Sequence, residues 1–225
     1  MTTHDRAGHF RDLGVLVIDT RDFVASVPQI QPVSEIDPDK DLAIIAYTSG
    51  TTGHPRGVML SHENLLAAYR SAEQELFASD PVPRFFGSTI RLSSLGILGM
   101  NYLFPHRMGV GTVVLPELSL DTTQTFWNAV ENGGVDFLYL VPALVNLLNK
   151  TAPKNHALRN VSFLSAAARL DEKVQEQFQS RFGLTLRNGY GLTEASFMIL
   201  CGAVDHEGRG LSCIGRPDFP EWKLL

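Results

Sequence analysis

The sequence predicts an α/β protein built of layered sheets with flanking helices. Three observations carry this. Short apolar, β-branched runs recur along the 225 residues. They alternate with stretches whose apolar residues fall at helical spacing. The runs are continuous rather than alternating, which is the pattern of strands covered on both faces, as in a parallel sheet. Composition agrees: 44% hydrophobic and 19% charged residues with a mean hydropathy of +0.01 exclude a disordered or fibrous chain.

Residues 13–18 (LGVLVI) read as a buried strand. Pro28, Pro32 and Pro38 then mark an irregular link. Residues 42–47 (LAIIAY) are a second continuous run, expected to lie in a parallel sheet, and a Gly/Ser/Thr loop follows over 48–57. Ser61 is an N-cap candidate for a helix carrying Leu65, Leu66, Tyr69 and Leu76 on one stripe. Residues 92–104 are apolar enough for a buried helix but too short to span a bilayer, which takes about 20 residues.

The alternation continues with a strand at 112–115. Asp121 is expected to cap a helix carrying Phe126, Trp127 and Val130 that stops at Gly133-Gly134. A strand at 135–141 leads to Pro142, which opens a helix with Leu144, Leu147 and Leu148. A strand at 161–164 precedes a helix capped by Asp171, with Val174 and Phe178 on one face and Arg181 and Gly183 at its end. A strand at 184–186 runs into Asn188-Gly-Tyr-Gly191.

Charge and cysteine use narrow the functional classes. Lys plus Arg is 19 against 24 Asp plus Glu, a net charge of −5 with no basic run, which speaks against nucleic acid and anionic membranes as partners. Cys201 and Cys213 make no disulfide framework and suit a reducing cytoplasm, with a single bridge left open. Residues 1–12 carry charges and no apolar h-region, so a cleaved signal peptide is not expected.

The strongest chemical signal is residues 47–57, YTSGTTGHPRG. Glycines let backbone N–H groups wrap an anion, and the hydroxyls of Thr48, Ser49, Thr51 and Thr52 add donors. Arg56 supplies a fixed positive charge that can pair bidentately with phosphate. Gly50, Gly53 and Gly57 complete the pattern. The competing reading, a polar surface linker, does not account for that order of residues directly after an apolar strand. A Walker A loop is excluded, because G-x-x-x-x-G-K-[ST] is absent.

This loop, with the VMLSHEN that follows it, resembles the signature of the adenylate-forming superfamily: acyl-CoA synthetases, aryl-CoA ligases, firefly luciferase and the adenylation domains of peptide synthetases. Residues 188–194 (NGYGLTE), followed by Gly215-Arg-Pro217, resemble a second motif of that family, and residues 165–170 (SAAARL) a third, weaker one. The resemblance implies part of the large domain of an acyl-CoA-synthetase-like fold. The expected organisation is an N-terminal strand and Pro-rich link over 1–40 and an AMP-binding core over 41–225, ending before the family's ribose-binding aspartate and its C-terminal lysine domain.

The implied activity is ATP-dependent conversion of a carboxylic acid to an acyl-adenylate, followed by thioester formation on coenzyme A or a carrier-protein thiol. Two alternatives stand beside it: a non-catalytic or split remnant that binds nucleotide or a partner polypeptide, and an enzyme loading amino or aryl acids onto a carrier protein. By the resemblance, residues Thr48 to Gly57 would hold the β- and γ-phosphates. Asn188 would bond the adenine amino group and Tyr190 would stack on the ring, with Gly189 and Gly191 in the same cofactor-binding run. Thr193 would contact the α-phosphate, and Glu194 would ligate Mg²⁺. Arg56, Thr193 and Glu194 are the implied catalytic set, and Ser93, Ala166 and Ala167 would line the acid pocket.

There are departures from the family pattern. Arg56 stands where lysine is usual, Ala166 where glycine is, Arg169 where proline is, and Ser93 in place of a histidine. No aspartate that would hold a substrate ammonium is visible, which disfavours an amino-acid substrate. An oligomer or a complementary polypeptide is expected to cover exposed sheet edges.

Overall fold

The computed structural model describes residues 35–49, 54–77, 81–89, 94–151 and 161–202. The expected strand at 13–18, Gly50 to Gly53, Ser93, Cys213 and Gly215 to Pro217 lie outside them. The first elements are strands β1 (Leu42–Thr48) and β2 (Arg56–Ser61) and helix α1 (His62–Phe77). Strand β3 (Phe85–Ser88) leads to an interrupted helix: α2 (Leu95–Leu98), a π-helical turn (Gly99–Leu103) and α3 (Phe104–Arg107). Then come β4 (Gly111–Val114), α4 (Thr123–Asn132), β5 (Phe137–Leu140), α5 (Pro142–Thr151), β6 (Ser162–Ser165), α6 (Glu172–Phe182), β7 (Leu186–Tyr190), a 3₁₀ turn (Thr193–Ala195) and β8 (Leu200–Cys201).

Strands β4-β3-β5-β6-β7-β8 form a six-stranded sheet in that order. The first five run parallel, and β8 returns antiparallel on β7. The expected α/β architecture is present, and so are strands covered on both faces: all four residues of β5 are buried. Side chains alternate across a strand, so Phe137 and Tyr139 enter one core and Leu138 and Leu140 the other. The first core joins Phe86, Leu164 and the α1 residues Leu65, Tyr69 and Leu76. Phe86 and Phe137 meet there as tilted rings with centroids 4.6 Å apart. The second core holds Phe126 and Trp127 from α4, Leu148 from α5 and Phe178 from α6. Each such fully buried side chain contributes about 1.5–3 kcal/mol of transfer free energy.

Several helix ends follow the expected chemistry. Ser61 and Asn64 bond reciprocally, Asn64 N to Ser61 Oγ at 3.2 Å and Ser61 N to Asn64 Oδ1 at 3.0 Å, so the start of α1 is boxed to the end of β2. Asp171 Oδ1 accepts from Lys173 N at 2.9 Å. Gly183 ends α6 at φ +65, a left-handed conformation that glycine adopts without a Cβ penalty.

Four expectations are corrected. First, β1 is not a parallel strand buried on both faces. It pairs antiparallel with β2; Ile45 and Tyr47 on its outer face are 52% and 75% exposed, and Met59, opposite Ile45 on β2, is 67% exposed. The continuous run arises because Ile44 and Ala46 pack inward against the core while the outer positions are also apolar.

Second, Asp121 does not cap α4. Thr122 flanks that helix, and its hydroxyl serves the preceding loop, accepting from Ser119 N at 2.9 Å and donating to Glu117 O at 2.6 Å.

Third, the expected single helix near 92–104 is broken by a π turn and continues past Pro105 to Arg107. Proline has no N–H to offer the preceding turn, and Asn101 O instead accepts from Thr112 Oγ1 at 2.6 Å.

Fourth, the strand expected at 184–186 is β7, Leu186–Tyr190, so Asn188-Gly-Tyr sits within the sheet. Gln179 Oε1 receives Leu186 N at 3.1 Å and Gln175 Nε2 donates to Leu186 O at 2.8 Å, which satisfies the strand's entry.

Candidate functional site

In an open parallel sheet the strands' carboxyl ends form the crevice where ligands bind. Here the ends of β6 and β7 are neighbours, with Ser165 opposite Asn188. Ala166 follows β6 directly and lies against Gly189, where an added Cβ would stand 3.3 Å from Ala166 Cβ. Ala167 is held at φ +73. Asn188 and Gly189 are buried, while Tyr190 at the strand's end is 42% exposed and presents its ring outward. Strand β8 secures the other edge: Gly202 N donates to Asn188 O and Ile199 N to Tyr190 O, both at 2.8 Å.

Beyond Tyr190 the chain makes a tight reversal. A Cβ on Gly191 would collide with the carbonyl of Phe197, so only glycine fits. The 3₁₀ turn that follows leaves Thr193 half-buried and Glu194 exposed. Strand β2 packs against this turn. Arg56 opens β2 directly opposite Thr48, the last residue of β1, so the pairing closes the base of the Gly/Ser/Thr loop. Arg56 and Ser49 are exposed. The structure thus gathers Thr48, Ser49, Arg56 and Gly57 on the hairpin and Thr193 and Glu194 on the turn, with Asn188 to Gly191 and Ala166-Ala167 at the adjoining strand ends. Gly50, Thr51, Thr52, Gly53 and Ser93 lie outside the described residues.

Helix α1 ties the two regions together. Its first turn is boxed to β2 by Ser61 and Asn64, and Ser196 Oγ donates to Asn64 O at 3.2 Å. At its other end Arg187 Nη1 donates to Leu76 O at 2.6 Å, a cation on the carbonyl end of the helix. Burial holds the Arg187 pKa below its usual value, partly countered by Cys201. The Cys201 thiol is pushed up to about 12, chiefly by burial; Arg187 lowers it and Glu75 raises it.

Arg187, Asn64 and Ser196 escaped the sequence reading. A charge at the centre of an otherwise apolar strand entry was the available signal for Arg187. Asn64 closes the VMLSHEN run, but nothing in the sequence marked its backbone carbonyl as a partner for Ser196.

The site presents an exposed aromatic face, a guanidinium and one carboxylate, groups able to meet a flat ring, an anion and a cation respectively. Among the described residues no group of three or more His, Cys, Asp or Glu is placed to hold a metal. A lone Glu194 still fits Mg²⁺, which binds through one or two carboxylates plus phosphate oxygens.

Residues 6–225 match the AMP-binding enzyme family. The chain belongs to that family. It is 32% identical over 193 residues to a 3-hydroxybenzoate–CoA/4-hydroxybenzoate–CoA ligase of Thauera aromatica, covering 85% of this chain and 36% of that protein. It is 29% identical over 171 residues to a long-chain-fatty-acid–CoA ligase of Bacillus subtilis, covering 75% of this chain and 30% of that one. The chain therefore spans about a third of the length of these curated AMP-binding relatives. An o-succinylbenzoate CoA synthetase from Bacillus subtilis shares the fold, with a TM-score of 0.79 and 19% identity, over 96% of this chain and 43% of that structure. No described helix is long and apolar enough to cross a membrane.

Proposed function

We propose that this chain is the nucleotide-binding core, over residues 41–225, of an ATP-dependent acid–thiol ligase. In the first half-reaction a carboxylate oxygen attacks the α-phosphorus of ATP. The bond to pyrophosphate breaks, leaving an acyl-adenylate. In the second, a thiol sulfur attacks the acyl carbon, AMP departs, and the thiol proton passes to solvent. The thiol belongs to coenzyme A or to a carrier protein, and the acid is a small-molecule carboxylate. The reaction takes place in the cytoplasm, where ATP and reduced thiols coexist.

The observation that carries this reading is the packing of β2 against the Thr193–Ala195 turn beside the exposed ring of Tyr190. Thr48 to Gly57 would grip the β- and γ-phosphates, with Arg56 opposing their charge. Asn188 would bond the adenine edge, Tyr190 would cover its face, and Thr193 would meet the α-phosphate. Glu194 would hold Mg²⁺, which when bound neutralises charge on the phosphates. Ala166 and Ala167, with Ser93, would border the acid.

A second reading has its own observation. The apolar side chains of Ile45, Tyr47 and Met59 face outward on the β1–β2 hairpin, which suits a nucleotide binder that acts with a complementary polypeptide or as an oligomer covering them.

Calorimetry with ATP and Mg²⁺ tests the site. Binding is expected, with about tenfold or greater loss in Arg56→Ala and Glu194→Ala, the scale of a charge-assisted contact. A folded chain that binds no nucleotide refutes the proposal. ATP–pyrophosphate exchange over a panel of fatty, aryl and amino acids then separates the readings. Exchange above background supports the ligase and names its acid, and binding without exchange supports the nucleotide binder.

A further inference from the structure

Among the described residues, Ala167 and Ser196 are the non-glycine residues with positive φ. One follows the end of β6 and the other follows the Thr193–Ala195 turn, so both border the proposed nucleotide site. Ser196 sits at φ +75, ψ −50, and Phe197 N donates to Ala195 O at 3.1 Å. That is a γ-turn of the rare, strained hand. Strained backbone persists only where its surroundings over-determine it, and here they do.

Three contacts surround the turn. Ser196 is 3% exposed, and its hydroxyl donates to Asn64 O in the first turn of α1 at 3.2 Å. Ser196 N donates to Thr193 O at 3.0 Å. Phe197 plugs the core, its ring 5.1 Å from that of Tyr69 and against Gly99. The rest of the first turn of α1 is fastened to β2 through Ser61. The Ser196 hydroxyl therefore bolts the segment carrying Thr193 and Glu194 to the helix that grows out of the phosphate-gripping hairpin.

We infer that Ser196 is a positioning residue of the site: its strained γ-turn and its bond to Asn64 O hold Thr193 and Glu194 at the phosphates, without touching the nucleotide itself. This rests on the nucleotide-binding reading above. It goes further by separating what holds the phosphates from what holds the base. Asn188 and Tyr190 are secured by β8, on bonds that do not involve Ser196.

The test compares ATP·Mg²⁺ with adenosine as calorimetric ligands for the unmodified chain, Ser196→Ala and Ser196→Gly. Ser196→Ala removes the hydroxyl and keeps the Cβ strain, whereas Ser196→Gly removes both. A shared phosphate-specific defect therefore assigns the effect to the hydroxyl. Expected is about five- to tenfold weaker ATP·Mg²⁺ binding in both variants, the size of one hydrogen bond, with adenosine affinity unchanged. The two variants differ in stability, Ser196→Gly melting higher than Ser196→Ala because the turn suits glycine. Unchanged ATP·Mg²⁺ affinity in a binding-competent chain overturns this inference alone. Equal losses for both ligands also overturn it, since they report general loosening. An unmodified chain that binds neither ligand overturns the nucleotide reading and this role together.

Discussion

Gly191→Ala probes the reversal between the base-facing strand and the turn bearing Thr193 and Glu194. The new Cβ would run into the Phe197 carbonyl, standing 2.6 Å from its carbon and 3.0 Å from Met198 Cα. The carbonyl oxygen is nearer still, so reaching an ordinary separation requires a backbone displacement on the order of 1.5 Å or more. The segment that must move is secured by Ile199 N to Tyr190 O at 2.8 Å and Ser196 N to Thr193 O at 3.0 Å. Losing one or both costs about 1 kcal/mol each, and residual overpacking adds about 1–3 kcal/mol. The expected destabilisation is therefore about 2–5 kcal/mol.

Gly109→Ala is the internal control. Gly109 has φ +70 with nothing within 4 Å of an added Cβ, so it carries backbone strain alone, about 1–2 kcal/mol. Urea unfolding followed by circular dichroism gives both values. A Gly191→Ala variant no less stable than Gly109→Ala would refute the steric argument.

Two further predictions follow from burial and backbone geometry. Burial raises Cys201 from 9.0 to about 12, and Tyr69 and Tyr139 from 10.0 to about 12. The folded state therefore keeps protons that the unfolded state releases. Stability from these groups is whole below about pH 9 and falls as pH rises towards 12, by up to about 1.4 kcal/mol per pH unit for each group. Urea midpoints at pH 8 and above check this, and a flat profile to pH 11 contradicts it. Ala167→Gly relieves a φ of +73, worth about 1–2 kcal/mol, against about 0.4–1 kcal/mol of added unfolded-state freedom. A net gain of about 0.5–1 kcal/mol in a thermal or urea melt is expected, and a loss refutes it.

The parallel sheet was legible because each βα unit carries its own local signals. Asp171 and Gly183 bracket α6, Pro142 opens α5, and the strands between carry apolar centres, FLYL in β5 and Phe163-Leu164 in β6. What failed was mostly non-local. Residues 42–48 have the hydrophobicity of a doubly covered strand, yet their pairing partner is β2 across the loop, and their outer face stays open to solvent. One failure was local: Asp121 and Thr122 are equally good caps by type, and the Thr122 hydroxyl is taken up by the preceding loop through Ser119 N and Glu117 O. Asn188-Gly-Tyr reads as a turn by composition, but pairing with β6 and β8 on either side makes it strand.

The candidate site shows the same division. Its motif residues stand out by chemistry. Ser196 and Arg187 act through backbone carbonyls of α1, and a carbonyl leaves no trace in the identity of the residue that carries it.

The hairpin of β1 and β2 has one further consequence. It is a two-stranded sheet anchored through its inner face, by Ile44, Ala46, Val58 and Leu60, while Ile45, Tyr47 and Met59 face outward. Two strands alone are marginal in water. The hairpin can therefore open locally at far lower cost than the six-stranded sheet behind it can melt. The chain keeps its rigid and its yielding parts in separate sheets, and Arg56 stands on the yielding one. A ligand that clamps the hairpin to the Thr193–Ala195 turn would slow amide exchange in β1 and β2 while leaving β5 and β6 as protected as before.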